Sequence, residues 1–201
     1  MEYGAFIALT EYFCQITLYL VLKYLKRRGM SFSGWQKVTI KTINGDVVGI
    51  APIIISASRA TDIPAFYPEW FMHRLKEGYV KWINRFNGQS KYVSFEKTRA
   101  IVFWTKNPEP FMRYLPELDD TGIHYYFTFT LNDYEAEKLE PNVPELKKRI
   151  DTFRRLSEKI GKEMVVWRFD PLILTKRLRD YRKITFTIKF SIDHFYFGEI
   201  V

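Results

Sequence analysis

The sequence predicts an α/β fold: a partial TIM-barrel-like parallel sheet of about four βα units, with an N-terminal β-hairpin and an added N-terminal helix. Three observations predict it. Four short apolar runs read as strands, the first of them continuously apolar as in the centre of a parallel sheet. Amphipathic helical patterns alternate with them. No glycine-rich phosphate loop follows the first run, which disfavours dinucleotide-binding and P-loop folds. Four strands are half of an eight-stranded barrel.

The hairpin comes first. Val38-Thr39-Ile40-Lys41-Thr42 alternates apolar and polar residues, Asn44-Gly45 suits a tight turn, and Val47 to Ile50 returns. Pro52 to Ala57 is the first buried strand. Thr61-Asp62-Ile63-Pro64 then supplies helix-start residues, and Ala65 to Glu77 carries Phe66, Trp70, Phe71 and Leu75 at helical spacing before Gly78. Ala100 to Thr105 is the second strand, Pro108 to Leu118 a shorter helix, and Tyr125 to Leu131 the third strand. Val143 to Ile160 is the clearest helix, with Leu146, Ile150, Phe153, Leu156 and Ile160 in one stripe and Gly161 at its end. Met164 to Trp167 is the fourth strand. The alternation implies right-handed crossovers and parallel pairing, which open doubly wound and barrel forms both satisfy.

Residues 30–175 thus form the α/β domain, an incomplete barrel. Residues 1–29 are a helical extension. Residues 176–201 form an atypical tail in which Ile184, Phe186, Ile188, Phe190 and Ile192 alternate where a helix is expected. The apolar stretch Ala5 to Leu22 approaches the length of a membrane span, but Thr10, Glu11, Gln15 and Thr17 interrupt it. Its basic residues follow the apolar run, whereas a signal peptide carries them before it. An added helix on the domain is expected, with membrane contact by residues 5–28 as the alternative.

Composition narrows the function classes. At 47% hydrophobic and 17% aromatic over 201 residues, the chain can bury one core. Its formal net charge of +8 sits largely in the two ends. Lys23, Lys26, Arg27 and Arg28 lie at one, and Lys176, Arg177, Arg179, Arg182, Lys183 and Lys189 at the other. Charge alone is therefore a poor argument for nucleic acid, which needs a clustered basic face. The one cysteine, Cys14, allows no internal disulfide and no cysteine-based zinc or iron–sulfur site, and it fits a reducing, cytoplasmic setting. His73, His124 and His194 have no metal-ligand spacing, and no metal site is expected. Lys147-Lys148-Arg149 and Arg154-Arg155 read as the wet face of the long helix.

Chemistry in a parallel α/β domain gathers where strands end. The first strand ends in Ser56-Ala57-Ser58-Arg59, with Asp62 close behind. The second ends in Thr105-Lys106-Asn107. The third ends in Thr128, Thr130, Asn132 and Asp133, and the fourth in Arg168-Phe169-Asp170-Pro171. Four clusters at equivalent positions point at one mouth. Arg59, Lys106 and Arg168 suit a carboxylate or phosphate there, including a carboxylate carried by a sulfonium compound. Asp62 and Asp170 either act as acid–base groups or brace the cations; Arg168 and Asp170 could simply pair. Ser56, Ser58, Thr105, Asn107, Thr130 and Asn132 would contact the ligand.

These clusters carry a resemblance. Ile55 to Tyr67 (ISASRATDIPAFY) resembles the opening signature of the Domain of Unknown Function 1848 family. Ile101 to Pro108 (IVFWTKNP), Glu140 to Pro144 (EPNVP) and Trp167 to Thr175 (WRFDPLILT) resemble its later motifs, and Phe32-Ser33-Gly34-Trp35 looks like its start. The similarity covers about 30–175 in order. The family in turn looks like a remote relative of radical S-adenosylmethionine enzymes, the spore photoproduct lyase group in particular. What the resemblance implies is an ancestral iron–sulfur enzyme using S-adenosylmethionine, with Arg59, Asp62, Lys106, Arg168 and Asp170 around the site. Full-length members carry a cysteine-rich motif that this sequence lacks, so a truncated relative without a cofactor of its own is expected. A non-catalytic module binding an anionic small molecule or nucleic acid, and a metal-free hydrolase or lyase using Asp62 and Asp170, are the alternatives.

Overall fold

The computed structural model describes residues 35–58, 61–83, 88–136 and 138–168. The expected N-terminal helix, the 176–201 tail, Cys14, Arg59 and Asp170 lie outside them.

Two four-stranded sheets organise these residues. The first is mixed. Its strands β1 (Gln36–Thr42) and β2 (Gly45–Ala51) form the expected hairpin, with Thr42 opposite Gly45. The turn is centred on Ile43-Asn44, one residue earlier than Asn44-Gly45. Gly45 closes it at φ +107°, a conformation that a side chain would strain. The hairpin does not stand alone: β4 (Tyr79–Ile83) and β5 (Ser90–Ser94) extend it in the order β1-β2-β5-β4. Gly49 permits this junction: a Cβ there would lie 2.7 Å from the Tyr92 carbonyl oxygen.

The second sheet is all parallel. Its strands are β3 (Ile54–Ala57), β6 (Ala100–Thr105), β7 (His124–Thr130) and β8 (Val165–Arg168), adjacent in chain order. Each expected strand is present within one or two residues. Helices pack on one face. The expected helix after β3 is split at Tyr67 into α1 (Ile63–Phe66) and α2 (Pro68–Glu77), because Pro68 has no N–H to continue the ladder. The helix after β6 begins as a 3₁₀ segment, Glu109–Tyr114, and continues as α3 (Leu115–Asp119); Pro110 and Pro116 break regular bonding. Helix α4 (Leu146–Ile160) precedes β8.

Register separates the faces. Ala57, Phe103, Phe127 and Val165 share one level of the sheet on the helix side. They join Phe71, Phe111, Leu118, Phe153 and Leu156 in the core. On the opposite face stand Ile54, Ser56, Val102, Trp104, Tyr126, Thr128, Thr130, Val166 and Arg168. A central parallel strand is expected to be buried on both faces. The first strand is not: Ile54 is 56% exposed, and Val166 on β8 is 47% exposed. The second face therefore mixes apolar and polar groups and grows more polar toward the strand C-termini. No helix among the described residues is long and apolar enough to cross a membrane.

Arg149 corrects the wet-face reading of α4. It is 2% exposed, whereas Lys147, Lys148 and Arg154 are exposed. Its Nε donates to the Pro144 carbonyl at 2.7 Å and its Nη2 to the Asn132 carbonyl at 3.0 Å. Burial lowers its pKa, against the pull of Glu135 and Asp133. Glu135, eleven residues before Leu146 in sequence, accepts the Leu146 N–H and caps α4. Together these bonds hold the base of the β7–α4 connection.

Candidate functional site at the strand C-termini

Parallel pairing brings the ends of β3, β6, β7 and β8 to one edge, so the expected clusters converge as far as they are described. Two groups form there.

The first group joins the β3–α1 turn to the end of β6. Asp62 Oδ1 accepts the Ala65 N–H at 3.0 Å and caps α1. Its Oδ2 accepts the Lys106 N–H at 2.7 Å, and the Thr105 hydroxyl also bonds it. Burial raises the Asp62 pKa above the ordinary 3.8, and those three hydrogen bonds and the Lys106 charge only partly offset it. The Lys106 ammonium pairs with Glu140, a residue of the β7–α4 connection. Thr105 is buried, and its Oγ1 accepts the Asn107 N–H at 3.0 Å. Asn107 turns toward the 3₁₀ segment, its Oδ1 accepting from Glu109 N at 3.4 Å.

The second group lies on the second face of the sheet. Trp104 Nε1 donates to Ser56 Oγ at 2.9 Å, and the Arg168 guanidinium lies 4.6 Å from the Trp104 ring centroid. Stacking on indole fixes the plane of a guanidinium while leaving its edges for hydrogen bonds. Thr130, buried, is paired in register with Arg168. Thr105 pairs with Phe129, so Lys106 follows at the level of Thr130. Lys106, Thr130 and Arg168 thus step across three neighbouring strands. Asn132 is buried beyond β7.

Ser58 follows β3 at φ +91°, unusual for a residue with a side chain, and its Oγ accepts the Ile63 N–H at 3.3 Å. A separate groove of about 590 Å³, lined by Phe66, Tyr67, Trp70, His73, Pro110 and Arg113, contains none of the expected site residues.

Sequence reasoning missed two members. Trp104 lies inside an apolar run that gives it no site role, although it alternates with the buried Phe103 and Thr105 and so faces the other side. Glu140 stood in a motif without a role; only the folded connection brings it to Lys106.

An iron–sulfur cluster of the kind the resemblance implies does not fit these residues. The sequence has a single cysteine, and among the described residues no group of three or more His, Cys, Asp and Glu side chains is placed to hold a metal ion.

The raised Asp62 pKa has a measurable consequence. A folded-state pKa above the unfolded value favours the protonated form in the fold. Its contribution to stability is complete below the unfolded value near 3.8 and is lost as pH rises through the higher folded value. Urea unfolding at stepped pH is expected to show wild-type stability declining upward from about pH 4 relative to Asp62→Asn, whose slope over that window is flatter. Parallel slopes would contradict it.

No curated protein and no solved structure matches the chain. The sequence model of one family, described as "Domain of unknown function (DUF1848)", matches residues 54–195. That match begins at the first residue of β3, later than the start near residue 30 read from Phe32 to Trp35, and runs past Thr175. It includes all four parallel strands and both groups of site residues. The chain belongs to the family described as Domain of unknown function (DUF1848).

Proposed function

We propose that the strand C-termini form a binding site for a small anionic ligand, a carboxylate or phosphate, in a barrel-like domain remotely related to radical S-adenosylmethionine enzymes. One observation carries the reading: Lys106 and Arg168 stand at the ends of β6 and β8, with the Thr130 hydroxyl on the strand between them. Neighbouring strands lie about 4.8 Å apart, so two long cationic side chains on β6 and β8 are long enough to meet one small anion above β7.

The barrel-like reading draws support from strand order. In a doubly wound sheet the order reverses at a switch point. Here each parallel strand lies beside its predecessor, as in a (β/α)₈ winding, and the helices of the described residues pack on one face. The second face would then line the barrel interior, with Trp104, Thr130 and Arg168 near its mouth. In relatives that bind S-adenosylmethionine, its carboxylate is the part such a site would take. Any iron–sulfur cluster would need cysteines outside these 201 residues.

The metal-free hydrolase or lyase reading is less favoured, because both Asp62 oxygens already accept backbone N–H groups. Calorimetric titration with inorganic phosphate at low salt tests the site. Wild type is expected to bind, and Arg168→Met to weaken binding about tenfold, as loss of one charged hydrogen bond does. No binding, or an unaffected variant, would overturn the reading. Binding of single-stranded oligonucleotides but not phosphate, with a steep salt dependence, would move it to nucleic acid.

A further inference from the structure

We propose that Glu140 is a built-in competitor for the anion site and makes it select dianionic phosphate-type ligands over monocarboxylates. The inference rests on the anion-site reading above and names its ligand class.

Lys106 is shared by two carboxylates of its own chain. Glu140 Oε1 receives its ammonium, and the buried Asp62 lies close enough to feel its charge. The Glu140 carboxylate is poorly accommodated otherwise: Oε2 is buried and has no hydrogen-bond partner among the described residues. One of its oxygens is thus satisfied by Lys106 while the other is desolvated without return. An incoming anion meets a lysine already neutralised and a second carboxylate behind it.

A monocarboxylate that replaced Glu140 would exchange one lysine–carboxylate pair for another and gain little. A phosphate-type dianion carries more charge and more acceptor oxygens. It can engage Lys106 and, across Thr130, Arg168 together, while Glu140 moves its unsatisfied oxygen to water. The base of the connection stays anchored through Arg149, so the exchange does not require α4 to move.

The test titrates inorganic phosphate and acetate into wild type, Glu140→Gln, Lys106→Met and the double variant, with circular dichroism as the check on folding. Glu140→Gln is expected to bind phosphate about tenfold more tightly and to make acetate binding measurable. Lys106→Met is expected to weaken phosphate binding by wild type about tenfold and to cancel the gain of Glu140→Gln in the double variant. In wild type, the ¹³C-carboxyl resonance of Glu140 should shift on saturation with phosphate, a readout that needs no variant to fold. Wild-type binding with no gain in Glu140→Gln, or with an unmoved Glu140 resonance, would overturn the competitor role and leave the anion site standing. Absence of phosphate binding in wild type would overturn the anion site itself.

Discussion

Replacing Phe103 with alanine is expected to destabilise the protein by about 3–5 kcal/mol, the cost of removing a large side chain from a packed core. Phe103 has no exposed surface. Its ring lies 4.8 Å from Phe111, 4.9 Å from Phe127 and 5.3 Å from Phe71, so one side chain ties β6 to β7, the 3₁₀ segment and α2. Collapse around the gap is hindered because those neighbours are themselves fixed by further rings. Phe103 also sits between Val102 and Trp104, two residues before Thr105, so loosening it disturbs the strand end that carries Lys106. Chemical denaturation checks the figure. A loss under about 1.5 kcal/mol, the size of a tolerated core exchange, would mean that the helix layer does not pack on β6 as described.

Arg149→Met is expected to cost about 2–4 kcal/mol, which is exceptional for a basic residue in a lysine- and arginine-rich helix. The variant keeps much of the side-chain volume but strips the donors from the Pro144 and Asn132 carbonyls, and charge-assisted bonds of this kind contribute about 1.5–3 kcal/mol each. It also leaves Asp133 and Glu135 without the cation between them and α4. The control is Arg154→Met on the exposed side of the same helix, expected to stay within about 0.5 kcal/mol. Equal effects would show that Arg149 is not buried against the connection. In the intact protein its role is positional: it holds the segment from which Glu140 reaches Lys106.

The two cases show what could be read from residues alone. The parallel strands were legible because apolar runs bounded by turn residues have few other readings, and the polar residues at their C-terminal ends lie along one edge of the sheet. The helix split at Tyr67 was signalled by Pro68 but masked by the apolar spacing on either side. Strands β4 and β5 were not legible: Tyr79 to Ile83 sits directly after a helix, and Ser-Lys-Tyr-Val-Ser is too polar to announce burial. Arg149 lies three residues after Leu146 and four before Phe153, on the apolar stripe. Its position predicted burial, its charge argued against it, and the position prevailed because two backbone carbonyls of the preceding connection, those of Asn132 and Pro144, needed a donor. Nothing local could place Glu140 beside Lys106, thirty-four residues away. Arg59 and Asp170 lie outside the described residues.

The most direct test of the anion site is a phosphate titration of ¹⁵N-labelled wild-type protein followed residue by residue. The account predicts saturable shifts of the Trp104 indole N–H and of the Lys106, Thr130 and Arg168 backbone amides at one common affinity. Shifts confined to other surfaces, or none at these four positions while phosphate binds, would contradict it.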